Sequence, residues 1–223
     1  MVIGLALTSL LMPSLRAHAA TRPFASSSPF NLPIVTAPAL DPSSAAMVSR
    51  FSRSNQANAN LVAYGVPIYT ADPGAATVTV TCTYSWGQCP FDQVPIPAGA
   101  TPNTGSDGVL VVLQGDLAYE LWQAKSGNSS WTASWGAVNN ISSVDGWGWG
   151  GSGTGSGASR AAGVVRVAEI EAGVIDHALV VQTDTVCADV VRTPALKTDG
   201  DSRRSDCIPE GARIQLDPSI DLD

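Results

Sequence analysis

Six short runs rich in β-branched and aromatic residues follow one another along this chain: ATVTVTC, GVLVVL, LAYELWQA, WTASWGAV, DHALVVQT and ARIQLD. Glycine, proline, asparagine and aspartate punctuate them, the pattern of strands separated by turns. Strands this short have little stability alone, so they must pair into sheets and bury one face against another layer. The expected fold is mainly β: an antiparallel β-sandwich or jelly roll with one or two short helices.

Alternation within the runs assigns faces, because successive side chains of a strand point to opposite sides. In Leu117–Ala124, Tyr119, Leu121 and Gln123 share one face, while Ala118, Glu120 and Trp122 share the other. Trp131, Ala133 and Trp135 are expected on one side of the next strand, and Ala212, Ile214 and Leu216 inward on the last. VLVVL has no polar alternate and predicts a strand covered on both faces. In Ile175–Thr183, His177 shares a face with Ile175, Leu179 and Val181, opposite Asp176. Asp41 is the expected cap of a helix over SSAAMVSRFS, with Ala46, Met47 and Phe51 turned inward. A second short helix is expected within Ser159–Gly173, where Val164, Val167 and Ile170 recur at helical spacing and Gly173 suits a C-cap.

Residues 1–20 read as a secretory signal, with an apolar run and an Ala17-His18-Ala19 cleavage pattern but no basic start. Residues 21–42, rich in proline and serine, form an expected extended strap, and residues 43–223 a single β-rich domain. Export makes disulfides the default for Cys82, Cys89, Cys187 and Cys207. Three pairings are possible, of which Cys82–Cys89 with Cys187–Cys207 needs no long-range coincidence. The spacings lack C-x-x-C, so no metal site is expected. Beyond export no membrane association is expected, since no later run is long enough to span a bilayer.

The formal net charge of −7 opposes non-specific nucleic-acid binding. No cofactor is expected: Gly153-x-Gly155-x-x-Ala158 loosely matches a dinucleotide fingerprint but has no βαβ context and no phosphate-cradling lysine. The glycine-serine stretch 146–159 reads instead as a surface loop, or as a flap carrying Trp147 and Trp149.

His177 is the only histidine outside the leader, and is either packed in the core or a general acid or base. Glu120 shares a strand face with Trp122, and a carboxylate beside an aromatic ring suits sugar recognition. A glycosidase needs a second carboxylate about 5 to 10 Å away; Asp107, Glu169, Asp176 and Asp199 are the candidates. A lyase would draw its base from His177 or a tyrosine, and its cation from Arg166, Arg192 or Lys197. Trp86 sits inside the loop TYSWGQ, where a small disulfide would present it rigidly. Serine-nucleophile chemistry lacks its G-x-S-x-G elbow.

The succession SDGVLVVL, YELWQA, WTASWGAV, AGVVRVAEIEAGVIDHALVV, PALKTDG and IPEGARIQLDPSIDL is similar to a broad set of secreted actinobacterial proteins. The resemblance runs from about Phe30 to the end, and YELWQA and IDHAL are its most specific motifs. It carries no named activity; it implies a β-rich extracellular domain with a carbohydrate-active look. By that resemblance Asp107, Tyr119, Glu120, Arg166, Glu169, His177 and Lys197 fall on recurrent motif positions. Proteins of that kind continue past IQLDPSIDL, so a C-terminal truncation is expected.

Taken together, these features predict an exported polysaccharide-active protein, oligomeric state open. As a hydrolase it would use Glu120 as acid or nucleophile with His177 and Asp107 assisting, and Trp122, Trp135, Arg166 and Lys197 holding the sugar. The alternatives are a lyase, and a non-catalytic carbohydrate-binding or cell-wall-associated module.

Overall fold

The run VLVVL becomes the middle of a sheet, as a strand without polar alternates should. The computed structural model describes residues 22–35, 37–54, 58–142, 153–217 and 219–220. Strands β1 (Ile68–Thr70), β2 (Val78–Cys82), β3 (Gln93–Val94), β4 (Leu110–Gln114) and β5 (Leu117–Trp122) come first. They are followed by β6 (Lys125–Ser126), β7 (Ser130–Ala133), β8 (Trp135–Asn140), β9 (Val186–Val191) and β10 (Ile208–Glu210). Helix α1 (Ser44–Phe51) precedes β1, and α2 (Val167–Ala172) lies between β8 and β9.

One four-stranded sheet has the order β1-β4-β5-β8 and a second has β3-β2-β7-β6. Most pairs are antiparallel, but β1 runs parallel to β4 and β2 parallel to β7. Gly115, at φ 57°, and Asp116 close the two-residue turn that pairs Gln114 with Leu117, since a tight hairpin needs a positive φ there. The inner faces meet in one core: Leu110, Val112 and Leu121 of the first sheet pack with Val80, Val94, Trp131 and Ala133 of the second. Burying a Leu or Val fully is worth about 2 kcal/mol, so this layer carries the sandwich. The fold is mainly β and sandwich-like, with two short helices.

The far face of the first sheet carries the other alternation set, including Val111 and Ala118. There the segment 153–162 covers it, together with the N-terminal residues 22–35. Phe24 and Phe30 pack with Ala158 and Ala162, and Asn31 Nδ2 donates to the carbonyls of Pro23, Phe24 and Ala25.

Four expectations need correction. WTASWGAV is two strands, not one: at Ser134 the chain leaves the second sheet for the first, its N–H donating to Trp122 O. Trp131 therefore enters the inter-sheet core, while Trp135 pairs with Trp122 on the far face. DHALVVQT forms no strand, because Ala178 N–H donates to Phe30 O and Val180 N–H to Gly163 O rather than to a ladder; Leu179 and Val181 are exposed. ARIQLD forms none either: Gly211 turns the chain at φ 80°, Arg213 bonds Leu32 O, and Ile214 and Leu216 are exposed. The helices are shorter and less buried than expected. Ser43, not Asp41, caps α1, and Asp41 Oδ1 accepts from Ser43 N–H. Ala46 is exposed, and Met47 and Phe51 are half-buried. Val167 and Ile170 of α2 face out, Val164 lies before the helix, and Gly173 caps it in the left-handed region as expected.

Both disulfides are the local ones, Cys82–Cys89 and Cys187–Cys207. Among the described residues no helix is long and apolar enough to cross a membrane.

Candidate functional site

The Cys82–Cys89 bridge closes a loop at the end of β2, and this loop presents Tyr84 and Trp86. Tyr84 N–H donates to Ser134 O, which ties the loop to the corner where the chain changes sheets. Trp86 is the hub of an aromatic cluster. Its ring lies 4.7 Å from Tyr84, 6.1 Å and nearly parallel to Trp122, and 5.9 Å from Trp135. Trp122 and Trp135 are cross-strand partners on β5 and β8. They support Trp86 from the sheet, while Trp86 stays 66% and Tyr84 44% exposed. A disulfide-braced loop resting on two indoles loses little freedom when a ligand docks, which favours binding.

Asp107 borders the cluster, its Oδ1 accepting from Trp122 Nε1 at 3.2 Å. Gln123 N–H donates to Asp107 O and Ala124 N–H to Gly108 O, so the two segments are fixed together. Gln123 takes the left-handed conformation, φ 52°, where β5 ends, and its Oε1 accepts from Ser134 Oγ at 2.6 Å. That bond locks the corner under the platform.

Glu120 lies one alternation step back from Trp122 and is completely buried. Ser159 Oγ donates to Oε1, and Arg160 N–H donates to Oε2 at 2.8 Å. Gly153 lies so close that a Cβ there would come within 2.6 Å of Oε2. Burial pushes the Glu120 carboxyl above its usual pKa, against the pull of the Arg160 N–H and the Ser159 hydroxyl. Asn139 is buried nearby and favours the carboxylate, yet neither of its side-chain polar atoms makes a well-formed hydrogen bond. Burial lowers the affinity of the Arg160 guanidinium for its proton, and the charges of Glu120 and Asp107 partly restore it.

His177 belongs to a separate network. Its side chain is 3% exposed. Nδ1 donates to Ala178 O, and Nε2 shares a hydrogen bond with Glu169 Oε1, both at 2.9 Å. The other oxygen of Glu169 accepts from Arg166 N–H, and Arg166 Nη1 lies 3.2 Å from Oε1. Histidine, glutamate and arginine thus tie the start of α2 to the segment after it.

The expected meeting of Glu120, Trp122 and His177 on one open groove therefore does not occur. Trp122, Trp135 and Asp107 come together with Trp86; Glu120 is sealed behind them under Ser159 and Arg160. Arg166 is bound to Glu169, and exposed Lys197 lies where its charge acts on Glu210. Asp176 pairs with Arg22 on the surface. Tyr84, Asn139, Ser159 and Arg160 were not anticipated; Tyr84 alone had a signal, its place in the cysteine loop. Trp147 and Trp149 of the expected flap lie outside the described residues. Among the described residues, Gly153 to Ala158 belong to no helix or strand. Among the described residues no three histidine, cysteine or acidic side chains gather to hold a metal. No family model, no curated protein and no solved structure matches this chain.

Proposed function

We propose that this is an exported carbohydrate-binding protein that holds a neutral face of a polysaccharide ring on Trp86 and Tyr84. One observation carries the reading: Trp86, the most exposed aromatic ring among the described residues, is held rigidly with Tyr84 by a disulfide and by two further indoles. Indoles this exposed offer large apolar area at low entropic cost, and Asp107 supplies an acceptor for hydroxyls at the edge. Two disulfides fit an oxidising, extracellular setting.

A hydrolase is the weaker reading. Its support is the raised pKa of Glu120, a property that a general acid requires; against it stands the complete closure of that carboxyl. The lyase reading finds no comparable support, because His177 is held by Glu169 and Ala178, Arg166 Nη1 by Glu169 and Arg192 by Asp41.

Retardation of the full protein in gels containing soluble polysaccharides tests binding, with released reducing ends assayed in parallel. Trp86→Ala should lose about 2 kcal/mol of affinity, roughly thirtyfold, as a central aromatic anchor does. Retardation unchanged in Trp86→Ala, or absent from wild type across neutral and acidic polysaccharides, refutes the reading. Reducing ends lost in Glu120→Gln would favour the hydrolase.

A further inference from the structure

We infer that the hollow beside the aromatic platform is a second subsite, and that it takes the carboxylate-bearing unit of an acidic polysaccharide. This rests on the platform reading and extends it to a substrate class. A cavity of about 310 Å³ lies between the 102–108 segment and the 123–125 segment, at the small end of the usual range for ligand sites, about 300 to 1,000 Å³. Asp107 lies in the first segment and Trp122 immediately precedes the second, and backbone bonds from Gln123 and Ala124 clamp the two segments together. The hydrogen bond between Asp107 and Trp122 thus joins the rim of the hollow to the platform on which a sugar chain would stack.

The lining decides the chemistry. Ser106, Gln123 and Lys125 face the hollow, and no carboxylate lines it. Asp107, the acid of this loop, is engaged by the Trp122 indole instead. Lys125 makes no ion pair with any described residue. Gln123 Oε1 accepts from Ser134 Oγ and Nε2 donates one hydrogen to Ser106 O, which leaves the second amide hydrogen for a ligand. A lysine ammonium without a counter-charge and one remaining amide hydrogen suit an anion.

The test titrates the full protein, by tryptophan fluorescence, with an oligogalacturonate and with its carboxyl-reduced, uncharged counterpart. The acidic oligosaccharide should bind about tenfold more tightly, the preference should fall with added salt, and Lys125→Gln should remove most of it while the neutral ligand binds as before. Equal affinities for the two ligands, or a preference that Lys125→Gln leaves intact, overturns the subsite and spares the platform. Binding of neither ligand overturns both.

Discussion

Ser159 donates its hydroxyl hydrogen to Glu120 across a separation of 39 residues, and that bond holds the 153–162 segment down on the far face of the first sheet. Ser159→Ala strips a buried carboxyl oxygen of its partner while leaving Arg160 N–H on the other. An unsatisfied buried acceptor costs about 1 to 3 kcal/mol. The free energy of urea unfolding should fall by that amount, lowering the midpoint at constant slope; an unchanged midpoint would mean the carboxyl has another partner.

Burial holds the Glu120 carboxyl above its ordinary pKa, and the sign of the pH effect follows. The unfolded chain gives up this proton near pH 4.3, roughly the free value, before the folded chain does. The contribution of Glu120 to stability is therefore complete below that pH and is lost as pH rises through the folded pKa. Glu120→Gln keeps the shape and does not titrate. Relative to this variant, wild type should lose stability as pH rises above about 4.3. A difference that stays flat above that pH would show that the carboxyl is not burdened by its burial.

The two disulfides should separate stability from binding. Cys82–Cys89 spans 7 residues and Cys187–Cys207 spans 20. Chain-entropy arguments give about 2.5 and about 3.3 kcal/mol respectively. Replacing either pair by serine should lower the unfolding midpoint accordingly. Only loss of Cys82–Cys89 should also weaken retention on polysaccharide, because that loop carries Trp86 and Tyr84. Equal loss of retention in both variants would detach the platform from its brace.

Much of the sandwich could be read from alternation. The segments ATVTVTC, VLVVL and LAYELW form strands, the faces of LAYELW fall as expected, and both local disulfides form. The failures share one cause: a β-prone run says nothing about where its backbone donors go. Ala178 and Val180 give theirs to Phe30 and Gly163, so IDHALVV never joins a ladder. WTASWGAV reads as one strand because the corner at Ser134 is made by bonds from distant residues, Trp122 and Gln123. The site was legible in part. Period two put Glu120 and Trp122 on one face correctly, but could not say that Ser159, Arg160 and Gly153 would cover the carboxyl. Trp86 was legible as a presented residue from the cysteine spacing alone.

His177 and Trp86 make opposite demands on a pair of measurements. The His177 ring is buried and holds Glu169, whose carboxylate also anchors the start of α2 through Arg166. His177→Ala removes a packed ring and leaves that buried carboxylate short of a partner, which should cost on the order of 2 to 4 kcal/mol. Its bonds run to Glu169 and Ala178, away from the platform, so polysaccharide retention under native conditions should match wild type. Trp86 is mostly exposed, so Trp86→Ala should change the unfolding free energy by less than about 1 kcal/mol while removing most of the retention. If instead His177→Ala abolished retention at a temperature where circular dichroism shows it folded, the imidazole would touch the ligand, and the aromatic platform would no longer suffice as the site.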